Sequence, residues 1–274
     1  MENQALVSVI VTTKNEEKNI GNCLESVKKQ TYPQEKLEII VVDNGSTDKT
    51  KEMARKYTDK VFDKGPERSA QRNFGVENSD GEYIIYLDAD MVMSENVIAD
   101  CAQEIEKDGA IVALHVSEIV MGDRFFSKVR RFERSFYDGT VIDGVRFIKK
   151  SAFLKVGGFD ESLTGPEDWD LDKKLKKIGK IALVKTPIYH NEAEFDLKKY
   201  LSKKGYYAEK FDDYIAKWGK DDPDIKKQFG LYYRFLGVFI EKGKWTKLVA
   251  HPCLTFGMYF LRGLVGVKFL IRNK

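Results

Sequence analysis

The sequence predicts an α/β protein: a mostly parallel, doubly wound central sheet flanked by helices, with a helical appendage at its C-terminal end. Three observations predict this. Short apolar strands alternate with amphipathic helices through the first half, the order that right-handed βαβ crossovers require. The run YIIYLDADM, Tyr83 to Met91, is apolar until it stops in two aspartates, as expected of a strand buried on both faces whose carboxyl end meets a ligand. Charge is divided, with 23 Lys/Arg against 33 Asp/Glu in residues 1–172 and 23 against 10 in residues 173–274.

The elements follow in order. Leu6–Thr12 reads as a strand and Glu16–Gln30 as a helix with Ile20, Leu24 and Val27 on one face. Leu37–Asp43 is a second strand, then come the Asn44-Gly45 turn and a helix near Asp48–Tyr57. Val61–Phe62 is a short strand, Ser69–Glu77 a helix and Tyr83–Leu87 the fourth strand. A helix at Ser94–Lys107 and a strand at Ile111–Val120 continue the alternation. After Met121 the rhythm changes: a basic, aromatic helix at Arg124–Tyr137, a strand at Val145–Ile148, a loop at Gly157–Pro166, a helix over Glu167–Ile178 and a strand at Ile181–Lys185. From Asp196 the chain reads as helical and basic, which divides it into a domain at 1–192 and an appendage at 193–274.

Hydrophobic content of 42% and charged content of 32% describe a core-forming protein and exclude a disordered one. Cys23, Cys101 and Cys253 lack metal-like spacing and read as reduced cytosolic thiols. Met1 to Gln4 lead straight into a strand, so no signal peptide is expected. The acidic half suits a metal site and the basic half an anionic surface. No nucleic-acid motif accompanies the basic residues, so no nucleic-acid partner is expected.

Several motifs fall at strand ends. Asp88 and Asp90 offer hard oxygen ligands for Mg²⁺ or Mn²⁺, particularly beside a diphosphate; aspartates are equally common in loops and helix caps. TTKNEE (Thr12–Glu17) ends the first strand and opens the next helix, where amides attract anions. Glu16 there either accepts ribose hydroxyl protons or is a plain first-turn carboxylate. In DNGSTD (Asp43–Asp48), Asp43 is placed to bond a base edge, and Ser46 or Thr47 to cap a helix. Arg68 and Arg72 share a helix face at i, i+4, suited to phosphate or carboxylate, or simply exposed. In GGFDESLTGPEDWDL (Gly157–Leu171), Glu167-Asp168 opens a helix, Trp169 is placed to wall a sugar-sized pocket, and a carboxylate facing that pocket can act as general base. Acidic first turns also occur without any such role.

Together, VSVIVTTKNEE, VVDNGSTD, LDADM and GPEDWDL, in this order, resemble family 2 glycosyltransferases with their nucleotide-sugar-binding GT-A fold, over about residues 5–190. The resemblance implies an inverting, metal-dependent hexosyl transfer. By it, Thr12, Thr13, Glu16 and Asp43 meet the nucleoside, and Arg68, Arg72, Asp88 and Ala89 complete the donor site. Asp90, with Asp88 and His190 of PIYHNE, holds a divalent cation (Mn²⁺ or Mg²⁺). Glu167 and Trp169 line the acceptor and sugar pocket, and Asp168 deprotonates the acceptor hydroxyl. His190 has a structural alternative. Two departures stand out: Thr12 and Lys14 replace the Pro and Tyr common in the first motif, and no Gln-x-x-Arg-Trp string of processive synthases is present.

Leu248–Ile271 is mostly apolar, with His251, Thr255, Tyr259, Arg262 and Gly266 forming one polar stripe at helical spacing. Arg262 near its centre disfavours a membrane span. The segment reads either as a helix lying in the membrane interface, flanked by Lys242, Lys244, Lys247, Arg272 and Lys274, or as a helix packed on the protein or on a second subunit. Lys198–Trp218, rich in Lys and aromatics, fits an interface or an ordinary amphipathic helix. The expectation is a monotopic enzyme on the cytoplasmic side of the cell membrane. It takes GDP-mannose or a UDP-sugar as donor and a lipid or lipid-linked acceptor. The alternative is a soluble transferase acting on saccharide or protein, its C-terminal helices closing an oligomer.

Overall fold

A computed structural model describes residues 4–192 and 195–272. Met1–Asn3, read above as lacking a leader, and Lys274, read as a flanking cation, lie outside the described residues. The chain forms two compact units. The first comprises Met1–Glu118, Gly144–Ser162 and Glu167–Asn191, and the second Ile119–Asp143, Leu163–Pro166 and Glu192–Lys274.

The strands are β1 (Val7–Thr13), β2 (Leu37–Asp43), β3 (Val61–Asp63), β4 (Tyr83–Asp88), β5 (Met91–Met93), β6 (Ile111–Val120), β7 (Val145–Lys149) and β8 (Lys180–His190). The helices are α1 (Ile20–Lys28), α2 (Thr50–Ala54), α3 (Arg68–Glu77), α4 (Val97–Lys107), α5 (Phe125–Arg134), α6 (Lys150–Lys155) and α7 (Glu167–Lys176). They continue as α8 (Leu197–Tyr207), α9 (Phe211–Trp218), α10 (Pro223–Phe229), α11 (Val238–Ile240), α12 (Trp245–Ala250) and α13 (Pro252–Arg272).

One sheet of order β3-β2-β1-β4-β7-β6-β8-β5 organises the first unit. All of β1 is buried because both faces of the sheet are covered. Val7, Val9 and Val11 pack with Ile20, Leu24 and Val27 of α1 and Ile98 and Cys101 of α4. Ile10, between them, turns to the other face, in the cluster that holds Val76, Phe153 and Leu171. Gly75 sets the approach of α3: a Cβ there would lie 2.4 Å from Ile10 Cγ2.

The parallel reading holds for β3, β2, β1 and β4 and fails beyond them. β7 runs antiparallel to β4, and β6 antiparallel to β7. The long excursion over residues 121–144 brings the chain back without a βαβ crossover, so no rule fixes β7 as parallel. Two strand limits also differ. β5 was not expected, and β8 runs on to His190, because the two pair as Met91↔His190 and Met93↔Ile188.

In the second unit the Lys198–Trp218 segment is α8 and α9, separated by a 3₁₀ turn at Ala208–Lys210. Arg262 of α13 is buried against Glu133 and Tyr137, and Tyr259 donates to the Phe235 carbonyl at 2.8 Å. Arg262 and Tyr259 of the polar stripe therefore face protein, whereas His251 is exposed and precedes α13. Phe256 is 75% exposed, and Trp245, Val249, Phe260 and Val267 are exposed as well. Among the described residues no helix is long and apolar enough to cross a membrane.

Candidate active site

Parallel register brings three motifs to one sheet edge, pairing Thr13 with Asp43 and Thr12 with Asp88. The loops after β1 and β2 brace each other. Asn15, with φ of +53°, donates its N–H to Ser46 Oγ at 2.7 Å and accepts from the Thr47 N–H at 2.9 Å. The Glu16 N–H donates to Thr50 Oγ1 at 2.8 Å and the Glu17 N–H to Asp48 at 3.2 Å. These contacts correct two expectations. The helix starts at Ile20 rather than Glu16, and the amides of residues 15–17, taken as an anion site, already serve the neighbouring loop. Neither Ser46 nor Thr47 caps α2; Asp48 accepts from the Thr50 N–H at 3.0 Å instead.

Asp43 is fully buried, and both its oxygens bond to Ser46, at the N–H and the hydroxyl. It anchors its own turn. Ala89 packs in the core, and its N–H donates to the Thr12 carbonyl at 3.1 Å. It spaces the two aspartates and presents no amide to a donor. Thr12 Oγ1 donates to Asp88 at 3.1 Å, whereas the buried Thr13 hydroxyl has no protein partner. Glu16 is half-buried, and burial pushes its carboxyl up; Asn19 opposes this and Asp90, Asp48 and Asp88 add to it.

Two arginines of α3 organise the carboxylates. Arg72 is 1% exposed and bonds Asp88 at 3.1 Å and Asp168 at 2.9 Å, its guanidinium 4.4 Å above the Tyr86 ring. It lies behind the carboxylates, positioning them rather than facing a donor phosphate. Arg68, with its side chain 33% exposed, bonds Asp88 and Glu167, each at 3.3 Å, and is the more exposed of the two arginines. Burial opposes ionisation of Asp88, yet Arg72, Arg68, Arg146 and His190 hold its carboxyl well below the usual range. Burial and then Asp168 raise the Glu167 carboxyl, against Arg68 and Arg72.

Asp168 is the open carboxylate. Its Oδ1 accepts from Arg72 and, at 3.4 Å, from the Tyr86 hydroxyl. Its side chain is 30% exposed, and Oδ2 has no partner among the described residues. Gly144 leaves room for it, since a Cβ there would sit 2.9 Å from the Asp168 Cβ. A carboxylate fixed through one oxygen and open at the other has the geometry that a general base requires. Trp169 is half-buried on α7.

The β5·β8 pairing seats His190 beside Asp90. His190 Nε2 lies 3.2 Å from Asp90 Oδ2, and Nδ1 lies 3.0 Å from Glu118. Burial alone would lower the imidazole pKa, but the bonds to Asp90 and Glu118 outweigh it and bring it to about 10. As found, His190 is an ion-pair partner and would need to lose a proton to ligate a cation. Asp90 Oδ1 is buried without a partner, a hard oxygen that fits a divalent cation. Among the described residues no three His, Cys, Asp or Glu form a ready-made cage, so the remaining ligands would come from a diphosphate or water. Asp90→Ala is expected to weaken Mn²⁺ binding in the presence of a nucleoside diphosphate at least tenfold, by about 1.4 kcal/mol. An unchanged Mn²⁺ titration would remove Asp90 from that role.

Sequence reasoning missed Asn15, Tyr86, Glu118 and Arg146. Arg146 bonds Glu118 at 3.3 Å and lies 5.3 Å from the Tyr86 ring. The available signal was a lone charge inside an apolar strand, as in HVSEIV and VRFIK, because such a charge must find a partner.

Comparison with known proteins places the fold and the family. Glycosyltransferase AglE of Haloferax volcanii is 44% identical over 91 residues, 31% of this chain and 30% of that one. The dolichyl N-acetyl-alpha-D-glucosaminyl phosphate 3-beta-D-2,3-diacetamido-2,3-dideoxy-beta-D-glucuronosyltransferase of Methanococcus voltae is 26% identical over 203 residues, 63% of this chain and 62% of that one. The match thus spans under two-thirds of either relative. The structure of mannosyltransferase PcManGT from Pyrobaculum calidifontis, in complex with GDP-Man and Mn²⁺, superposes with a TM-score of 0.63 at 18% identity, covering 100% of this chain and 82% of that one. The shared fold is GT-A, a mixed α/β sheet flanked by helices. The model of glycosyl transferase family 2 matches residues 8–159, more than half of the sequence, and the chain belongs to that family.

Proposed function

We propose that this chain moves a sugar, with inversion, from a nucleotide diphosphate sugar to a lipid or lipid-linked acceptor at the cytoplasmic face of the cell membrane. The observation that carries the transfer reading is Asp168, anchored through Oδ1 by Arg72 and open at Oδ2. The acceptor oxygen attacks the anomeric carbon as the bond to the diphosphate breaks, and Asp168 takes the acceptor proton. Arg68 is exposed enough to meet the departing diphosphate. A divalent cation, Mn²⁺ or Mg²⁺, held by Asp90 with Asp88, would offset the negative charge on the leaving nucleotide diphosphate. GDP-mannose or a UDP-sugar is the donor we favour, supported by the GDP-Man complex of PcManGT.

The lipid reading rests on the outward apolar face of α12 and α13, where Trp245, Val249, Phe256 and Phe260 are exposed beside Lys242, Lys244 and Lys247. Aromatic residues next to lysines suit an anionic interface. The Methanococcus voltae relative, named for a dolichyl-linked acceptor, lends support.

The test uses the full chain, labelled donors with Mn²⁺, and three acceptor classes: a polyprenyl phosphate or glycolipid in vesicles, a soluble saccharide, and a protein. Label is expected in the lipid extract. Flotation is expected with anionic vesicles, lost on Phe256→Asp with Phe260→Asp. Label in saccharide or protein, without flotation, would overturn the lipid reading in favour of a soluble, oligomeric transferase.

A further inference from the structure

Asp168 lies in the first turn of α7, and that helix is tied to the sheet one turn further on. Asp168, Asp172 and Lys176 recur every four residues and share one face. Asp172 is buried, and its Oδ1 lies 2.7 Å from Nε2 of His115, which is buried in β6. Its Oδ2 meets the Lys176 ammonium at 2.5 Å.

Strand pairing aims the histidine. β6 and β7 pair as Ala113↔Ile148 and Leu114↔Phe147; the register then shifts, so that His115 faces Val145 instead of Arg146. Bulges of this kind re-aim side chains beside active sites. Val145 becomes the node between sheet and helix. Its carbonyl accepts from the Tyr86 hydroxyl, whose oxygen also lies 3.4 Å from Asp168 Oδ1. Its neighbour Gly144 packs on Asp168, where a Cβ would come within 2.9 Å of the Asp168 Cβ. The sheet thus meets α7 at two successive turns, at Asp168 through Gly144 and Tyr86, and at Asp172 through His115.

A buried polar pair adds little stability, since apolar residues of similar volume usually join two elements as firmly. The pair supplies a single height of α7 on the sheet. A hydrogen-bonding contact between two atoms tolerates little sliding, whereas apolar contacts lose uniqueness before they lose stability. Asp168 and Asp172 are one helical turn apart, about 5.4 Å along the axis, so a slip at Asp172 carries Asp168 with it.

We propose that His115 and Asp172 are positioning residues for sugar transfer, their contact fixing α7 so that Asp168 stands at the acceptor hydroxyl. The role rests on Asp168 being the base. Both residues are buried, and they act through the helix rather than on a substrate. A misplacement of about 1 Å costs roughly 10²-fold in rate.

The test compares the full chain with the double variant His115→Leu, Asp172→Leu. Turnover is read as nucleoside diphosphate release from GDP-mannose or a UDP-sugar, with Mn²⁺ and the three acceptor classes named above. Calorimetry gives donor affinity and thermal denaturation gives Tm. The double variant is expected to hold its Tm within about 5 °C. It is expected to bind donor within about twofold and to lose at least about tenfold in kcat. A merely structural pair would move Tm and kcat together or move neither. His115→Gln, whose amide nitrogen reaches the place of Nε2, is expected to keep kcat within about threefold of native, and His115→Asn, which falls short of it, to lose at least about tenfold. Those two variants decide the matter if the double variant does not fold. Native kcat in the folded double variant, equal kcat in the Gln and Asn variants, or a parallel loss of donor affinity overturns the proposal. Asp168→Asn runs alongside. Native turnover there removes the base and with it the role assigned to the pair. An inactive Asp168→Asn beside a fully active double variant removes the positioning role alone.

Discussion

Asp168→Asn is expected to lower turnover by about 10²–10⁴-fold, the usual contribution of a positioned general base, while donor affinity stays within about twofold. The substitution preserves shape, and an amide oxygen can still accept from Arg72, which bonds Oδ1 at 2.9 Å in the native chain. What is lost is the capacity of the exposed oxygen to take a proton. Steady-state kinetics with donor titration by calorimetry separates the two effects. Near-native turnover would assign the base elsewhere, with Glu167 as the neighbouring carboxylate to examine. A parallel loss of donor binding would make Asp168 a donor ligand instead.

Arg72→Met is expected to have the largest effect on stability. Arg72 is buried between Asp88 and Asp168 and packs 4.4 Å above Tyr86 and 5.2 Å from Phe159. Breaking a buried ion pair by removing one partner costs about 3–5 kcal/mol. Because Asp168 is nearly a third exposed, solvent screening favours the lower end, about 3 kcal/mol. For a chain of this size that lowers Tm by roughly 6–12 °C. Turnover measured below the new Tm should fall at least about 10²-fold, since the base loses its anchor. Arg72→Lys keeps the charge without the two-pronged geometry and should recover stability more than turnover. Native turnover in folded Arg72→Met would show that the arginine supports the fold alone.

The parts of this protein that sequence made legible are those with a local physical signature. VSVIVTT and YIIYLD are continuously apolar because both sheet faces are covered, and parallel register then aligns Thr12, Thr13, Asp43 and Asp88 without further information. What sequence did not reveal depends on long-range pairing. Nothing local announces the three-residue strand Met91–Met93, yet its pairing with β8 carries His190 to Asp90. The direction of β7 was equally hidden, because a long excursion leaves strand sense undetermined. Two motif residues also serve the fold in ways the sequence did not announce. Asp43 closes its own turn and Ala89 fills the core. The stripe on α13 was visible as a pattern, but which of its faces met protein was not; Arg262 finds Glu133 across 129 positions of sequence.

The most direct measurement is the product itself. The full chain would be incubated with GDP-mannose and with UDP-sugars, with Mn²⁺ and with a chelator, following nucleotide release and the anomeric configuration of the product by NMR. The account predicts Mn²⁺-dependent release of nucleoside diphosphate from one donor, with a β-linked product from an α-linked sugar. Retained configuration, or equal release with the chelator present, would contradict it.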